Sequence, residues 1–497
     1  MSPLHWACIG GHKDIVEVLL QNKADVSQCD GLDESPLYVA CEEGHTDIVE
    51  LLLQKKFYVN KSDVLWGSPL HVACKGGYKD IVGLLLQSNA VVNQCDWDGD
   101  SPLYVACTGG YKGIAKLLLQ NKADVNQFNR NRKSSLSVAC GGGYQAIVDL
   151  LLQNKAGVNT SDELGQSSLF EACTGGNKDI VEVLLQNKAD VNQCNKYGQS
   201  SLFKACGRRH EDIVELLLQN NAKVNQCDKD GESPLYLACQ GGYNDKVELL
   251  LQNKADVNQC DKDGESPLYL ACQGGYNDIL ELLLQNKADV NQCNVRGMFP
   301  LLYPLYRGHK DIVELLLQNK ADLNQCNMWD QSLLLYSCNR GQKNIVELFL
   351  QNNADVNQCN EDGESLLYMA CRGGHKDIVE LLLQTNDDVH QCNKNGKSLL
   401  FIACEKGHKD TVELLLQNKA DVLQCNINKE SSLHVASVGG HTDTIDVLLQ
   451  NNADVKQYNN RVESSLFIAC TGGHTDTVEL LLQNNADLSQ CDYIEKL

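Results

Sequence analysis

Twenty-four cysteines and twelve histidines stand among the 497 residues. That is enough to build zinc sites, disulfides or nucleophilic pairs, so their spacing has to decide among these chemistries. No C-x-x-C pair occurs, and a zinc site would lack the usual chelating spacing. The cysteines fall in two columns, Cys8, Cys41 and onward to Cys470, and Cys29, Cys95 and onward to Cys491, with members of a column separated by 33 residues or a multiple of it. His12, His45, His210, His309, His375, His408, His441 and His474 keep the same interval, as do the carboxylates that begin with Asp14, Glu17 and Asp25. Catalysis needs a few unlike groups converging on one point, whereas a group repeated at a fixed interval belongs to a scaffold or a solvated face. No phosphate-cradling G-x-x-x-x-G-K-[ST] loop is present, and Gly141-Gly142-Gly143 reads as a turn. The sequence contains no enzyme signature, and neither a metal nor a cofactor is expected.

The interval itself is the stronger signal. A tract of the S-P-L type recurs at residues 2, 35, 68, 101, 134, 167, 200, 233, 266, 299, 332, 365, 398, 431 and 464, without an insertion or deletion. With the first residue of the tract as position 1, Leu fills position 3 and Gln fills position 20 in every copy. A small polar residue followed by Pro is an N-cap and first-turn signature, so a short helix starts there. A Gly-Gly pair such as Gly241-Gly242 ends it, and H-K-D-I-V-E-L-L-L then puts its apolar residues on one face at helical spacing. The closing A-D-V-N-Q-C-D-K-D-G-E suits an exposed tight turn. Each copy is expected to be helix, turn, helix and hairpin-like loop, and none can bury its apolar face alone.

The period of 33 together with G-x-S-P-L-x-x-A, G-H-x-D-I-V-x-L-L-L and A-D-V-N resembles the ankyrin repeat. The resemblance implies an all-α solenoid of stacked helix-turn-helix units with hairpin-like loops, continuous over residues 1–497, in which partner proteins bind the concave face and the loop tips. The His of the family's T-P-L-H-x-A core survives only as His5, His71 and His434. Where the family usually has Gly after the second helix, this chain has Lys (Lys23, Lys254) or Asn (Asn89, Asn221). If those residues take φ > 0, Asn is tolerant and Lys mildly strained.

Charge narrows the partners. Lys plus Arg is 43 and Asp plus Glu is 65, a net of −22, which opposes nucleic acid and anionic lipid. No apolar run approaches the ~20 residues of a membrane span, and MSPLHWACIGGHKDIV lacks a secretory leader's pattern. A cytoplasmic, monomeric array with reduced thiols is expected. Helices packed at ~8–10 Å keep same-column cysteines beyond the ~4.4–6.8 Å Cα spacing of a disulfide. The sequons at Asn60 and Asn159 read as chance. Both ends are abrupt, as in a piece of a longer array.

If repetition encodes scaffold, binding belongs where exposed positions diverge. Trp66, Trp97 and Trp329 fall at loop tips, and Trp6 at a variable position of a first helix. A second group surrounds Pro304, which stands where other copies have Ala or Ser and should break or kink its helix at a cost of ~3 kcal/mol. That group is Met298, Phe299, Tyr303, Tyr306, Met328 and Tyr336, beside Trp329. These ten residues are the expected partner-binding surface, and the acidic charge favours a basic segment on the partner. Alternative roles are a regulatory or targeting subunit of a phosphatase or ubiquitin ligase complex, or a membrane–cytoskeleton linker. Lys246 puts a charge where fourteen copies have Ile or Thr, so isoleucine there is expected to strengthen the array.

Overall fold

The computed structural model describes residues 1–31, 33–55, 59–61, 67–324, 332–385 and 388–488. They form two units, Met1–Lys262 and Asp263–Leu497, in which thirty helices alternate short and slightly longer. The copy at residues 101–133 shows why the sequence folds this way. Ser101 takes extended backbone and its Oγ accepts the amide of Tyr104 at 3.2 Å, while Pro102 at the first helical position loses no hydrogen bond. The helix Pro102–Thr108 follows, Gly110 turns the chain at φ +75°, and Lys112–Gln120 runs as the second helix. Leu103, Ala106, Cys107, Ile114, Ala115 and Leu118 are all buried. Within each unit, first helices pack on first helices of the next copy and second helices on second helices, so every copy lends its neighbour an apolar face.

Polar contacts between copies are just as regular. After each second helix the Lys or Asn at position 22 takes a left-handed conformation, with φ between +59° and +68° at every described residue of this column. That conformation costs a non-glycine residue ~1–2 kcal/mol. Where the preceding copy's tract ends in Asn, that side chain grips both sides of the turn and offsets the cost, whereas Lys419, Asn452 and Asn485, preceded by His390, Leu423 and Lys456, take the same conformation without it. Asn93 donates Nδ2 to the Lys122 carbonyl at 3.5 Å and accepts the Asp124 amide on Oδ1 at 2.8 Å. Asn126 grips Lys155 and Gly157 in the same way, Asn192 grips Asn221 and Lys223, and Asn291 grips Lys320 and Asp322. The two sequon asparagines are clamps of this kind: Asn60 holds Asn89 and Val91, and Asn159 holds Lys188 and Asp190. Further out, the loops are joined backbone to backbone, as in Arg130 N–H to the Asp98 carbonyl at 3.0 Å and Lys196 N–H to the Leu164 carbonyl at 2.8 Å.

The periodic histidines are joints too. His45, His375 and His474 place Nε2 at 3.0–3.1 Å from the carbonyls of Ile9, Asn339 and Val438, at the end of the preceding first helix. Asn177 and Gln342 do the same with their amides. Every described cysteine is a free thiol. Burial pushes the first-helix thiols of Cys107 and Cys206 up to about 12, which makes them inert core filler.

Two irregular copies differ from expectation. The helix containing Pro304 is not kinked. It begins late, at Leu302, with Leu301 already helical and the Leu302 amide turned back to the Phe299 carbonyl at 3.1 Å. Pro304 thus falls in the first turn, where its missing N–H is not needed. Lys246 is not left without partners either. In fourteen copies the amide at position 11 returns to the carbonyl at position 6, over a glycine at φ +64° to +79°. The copy at residues 200–232 carries Arg209 in place of that glycine, takes no left-handed φ there, and lacks the bond from His210 to Ala205. Lys246, buried in the next copy, reaches back into the gap. Its Nζ lies 3.4 Å from the Ala205 carbonyl, 3.2 Å from the Cys206 carbonyl and 3.9 Å from the Tyr243 ring centroid. Burial depresses its pKa, but the ammonium has three partners.

Two outcomes follow from these contacts. Asn126→Ala removes both clamp bonds and should cost about 1–2 kcal/mol, seen as faster hydrogen exchange at Gly157, while Asn126→Asp retains the acceptor and part of the protection. Lys246→Ile should destabilise residues 200–257 by about 1–3 kcal/mol by removing the ammonium from the Ala205 and Cys206 carbonyls, and combining it with Arg209→Gly should restore wild-type protection. Additive losses in the double variant would show that the two residues are unrelated.

Candidate functional site

In the first unit, the first helices Pro36–Glu42, Pro69–Gly76 and Pro102–Thr108 stand side by side, and the loop 96–100 overhangs them. Between them lies a groove of about 780 Å³, lined by Tyr38, Glu42, Val72, Lys75, Asp96, Asp98, Asp100, Tyr104 and Val105, among others. Its volume is in the range of ligand pockets. The loop is shaped from within. Asp96 accepts the amides of Asp98 and Asp100 on Oδ1 at 3.0 and 2.9 Å, and the Gly99 amide meets the Asp96 carbonyl at 3.1 Å. Gly99 sits at φ +79°, where a Cβ would come within 2.8 Å of the Arg130 backbone nitrogen. The next copy supports the loop from outside: Asn129 donates to Asp100 Oδ1 at 3.0 Å, and Arg130 N–H to the Asp98 carbonyl. His71 joins floor to loop, with Nε2 at 3.0 Å from the Asp100 carbonyl and Nδ1 at 3.0 Å from Ser68 Oγ.

The electrostatics follow from that crowding. Burial raises the pKa of Asp100, Asn129 opposes the rise, and the nearby Asp96 and Asp98 add to it. Burial, and then the Asp100 charge, push the Tyr104 phenol up to about 12. Among the described residues four carboxylates and one ammonium line the groove, which favours a cationic occupant. Among the described residues no group of three or more His, Cys, Asp or Glu is placed to hold a metal ion, and no helix is long and apolar enough to cross a membrane.

Of the expected binding residues, Trp97 is 58 % exposed at its loop tip, with the Arg130 guanidinium 4.4 Å from the ring centroid. Trp6 is 62 % exposed on the helix Pro3–Ile9. Trp66, Trp329 and Met328 lie outside the described residues. In the second unit Tyr303 meets Tyr269 edge to face at 5.5 Å, and Tyr306 meets Tyr336 at 4.7 Å, with Arg340 Nε donating to the Tyr336 hydroxyl at 3.2 Å. Tyr303, Tyr306, Tyr336 and Met298 are half-buried, and Tyr269 is buried. Phe299 is a correction. It replaces the capping Ser, is 2 % exposed, and fills the core where the helix start was lost, so it offers nothing to a partner. Sequence reasoning passed over Asp96, Asp98, Asp100 and Tyr104. The available signal was the alternating carboxylates of Asp96-Trp97-Asp98-Gly99-Asp100, visible beside the tryptophan.

A protein of stacked helical repeats, alike in their joints and unlike at exposed tips, is the class that this geometry defines. The family profile described as Ankyrin repeats (3 copies) matches residues 1–63, 61–129, 126–195, 169–261, 242–327, 333–424 and 421–492. The chain belongs to the ankyrin repeat family. Among solved structures it is similar to the crystal structure of human ASB11 ankyrin repeat domain, at 26 % identity over 45 % of this chain and 99 % of that one, with a TM-score of 0.42. No curated protein matches. Ankyrin repeats are in general protein–protein interaction modules.

The pKa of His71 is lowered by its burial, and that of His434 likewise. Each ring is thus kept neutral in the fold, while the unfolded chain takes up a proton near the ordinary value of 6.5. The stability this contributes is complete above that value and is lost as pH falls through it, by no more than about 1.4 kcal/mol per pH unit for each group. His71→Tyr, which installs the residue found at Tyr38 and Tyr104, should flatten the decline in melting temperature between about pH 7.5 and about pH 5.5. An unchanged slope would show that folding leaves the pKa of His71 unshifted.

Proposed function

We propose that this chain is a non-catalytic scaffold that binds partner proteins through its first helices and loop tips. One observation carries the reading. The Leu, Ile, Val and Ala repeated from copy to copy are mostly buried between helices, whereas Trp97 is exposed beside a groove rimmed with carboxylates, with the Arg130 guanidinium over its ring. A large rigid aromatic next to a recess is the usual composition of an interface anchor. The acidic excess supports partners with basic segments and speaks against nucleic acid and membrane surfaces. The many unpaired thiols, among them the exposed Cys293, Cys359 and Cys392, support a reducing, cytoplasmic setting.

The test is crosslinking in cells followed by recovery of partners. Trp97→Ala should lower recovery of a directly bound partner by about tenfold or more without changing the melting temperature. Trp6→Ala serves as the comparison on a separate first helix. Equal recovery with wild type and Trp97→Ala would remove the loop tip from the interface.

A further inference from the structure

We propose that the groove between Glu42, Tyr104 and the loop carboxylates Asp96, Asp98 and Asp100 takes an arginine side chain from an extended segment of a partner protein. The proposal deepens the scaffold reading and rests on it. Three features of the groove select this chemistry. Among the described lining residues its acids outnumber the one cation, Lys75, so a positive group entering it meets net attraction. The loop carboxylates recur at every second residue, and Asp100, whose pKa is raised first by burial, also feels the charges of Asp96 and Asp98, so a cation between them relieves that repulsion. Tyr104, half-buried in the wall, offers a ring face beside those charges.

Arginine satisfies these features better than lysine. A planar guanidinium stacks on an aromatic face while its fork reaches two carboxylates, whereas an ammonium is a compact, strongly hydrated point charge. The chain itself provides a precedent at the rim, where the Arg130 guanidinium lies 4.4 Å from the centre of the Trp97 ring. Val72 and Val105 leave apolar wall for the aliphatic part of the side chain. An extended segment rather than a helix is implied because the groove is a recess between neighbouring first helices and one loop, with room for a few residues.

The experiment titrates the full chain into a fluorescein-labelled peptide, acetyl-Gly-Arg-Gly-Arg-Gly, and into its citrulline counterpart, which keeps the shape and loses the charge. The arginine peptide should bind at least about tenfold more tightly and weaken as salt is raised. Asp98 is exposed, and Asp98→Asn should weaken the arginine peptide about three- to tenfold with no change in melting temperature. Glu182→Gln, on the second helix Lys178–Gln186, should have no effect. Equal affinity for the two peptides, equal effects of Asp98→Asn and Glu182→Gln, or no saturation by the arginine peptide would each overturn the assignment. If lysine replaces arginine without loss, the guanidinium is not what the groove selects, and the assignment fails in that respect. A chain that still recovers its partner through Trp97 while ignoring the arginine peptide would sink this inference alone. Loss of the Trp97 dependence would sink the reading beneath it.

Discussion

The burial of each copy's apolar face against its neighbours is the constraint on which the rest of the structure depends. The grip of an asparagine on the following turn adds to it at the junctions that carry one. A left-handed lysine is unfavourable by ~1–2 kcal/mol, and two hydrogen bonds supplied from outside are of the right size to offset it. The offset is available only if the asparagine of one copy and the turn of the next arrive in the same relation every time. That favours the constant 33-residue interval at the junctions that carry the clamp. A residue added between helix and loop would displace a clamp, a loop-to-loop bond and a histidine joint together.

Much of the fold was legible because it rests on local rules. Ser and Pro announce a helix start, Gly-Gly announces its end, and the spacing of Ile, Val and Leu declares the buried face. What escaped were contacts whose two halves lie about thirty residues apart. Asn159 reads as part of a sequon until the Lys188 carbonyl and Asp190 amide are seen in its grasp. Lys246 reads as a flaw until Arg209 is recognised as the cause of the gap that it fills. Pro304 reads as a break because periodicity cannot show that the helix has moved its start by two residues. Phe299 was misassigned for the same reason: an aromatic in a capping column looks exposed if the cap is assumed to persist.

The candidate site was legible only in part, and the reason is again physical. Trp97 stands out by rarity, but a groove is a relation among three helices and a loop, and none of its carboxylates differs in type from dozens of others. Asp98 is ordinary in sequence. It becomes distinctive because Asp96 and Asp100 flank it and an aromatic wall closes the recess.

The loop over that groove does not hold its own shape. Asn129 and the Arg130 amide belong to the following copy, yet they fix the Asp100 carboxylate and the Asp98 carbonyl. Communication along such a support runs both ways by thermodynamic necessity. Anything that steadies residues 129–130 would sharpen the recess in front of them, and an occupant of the recess would stiffen residues 129–130 in return, coupling neighbouring copies without a change of fold.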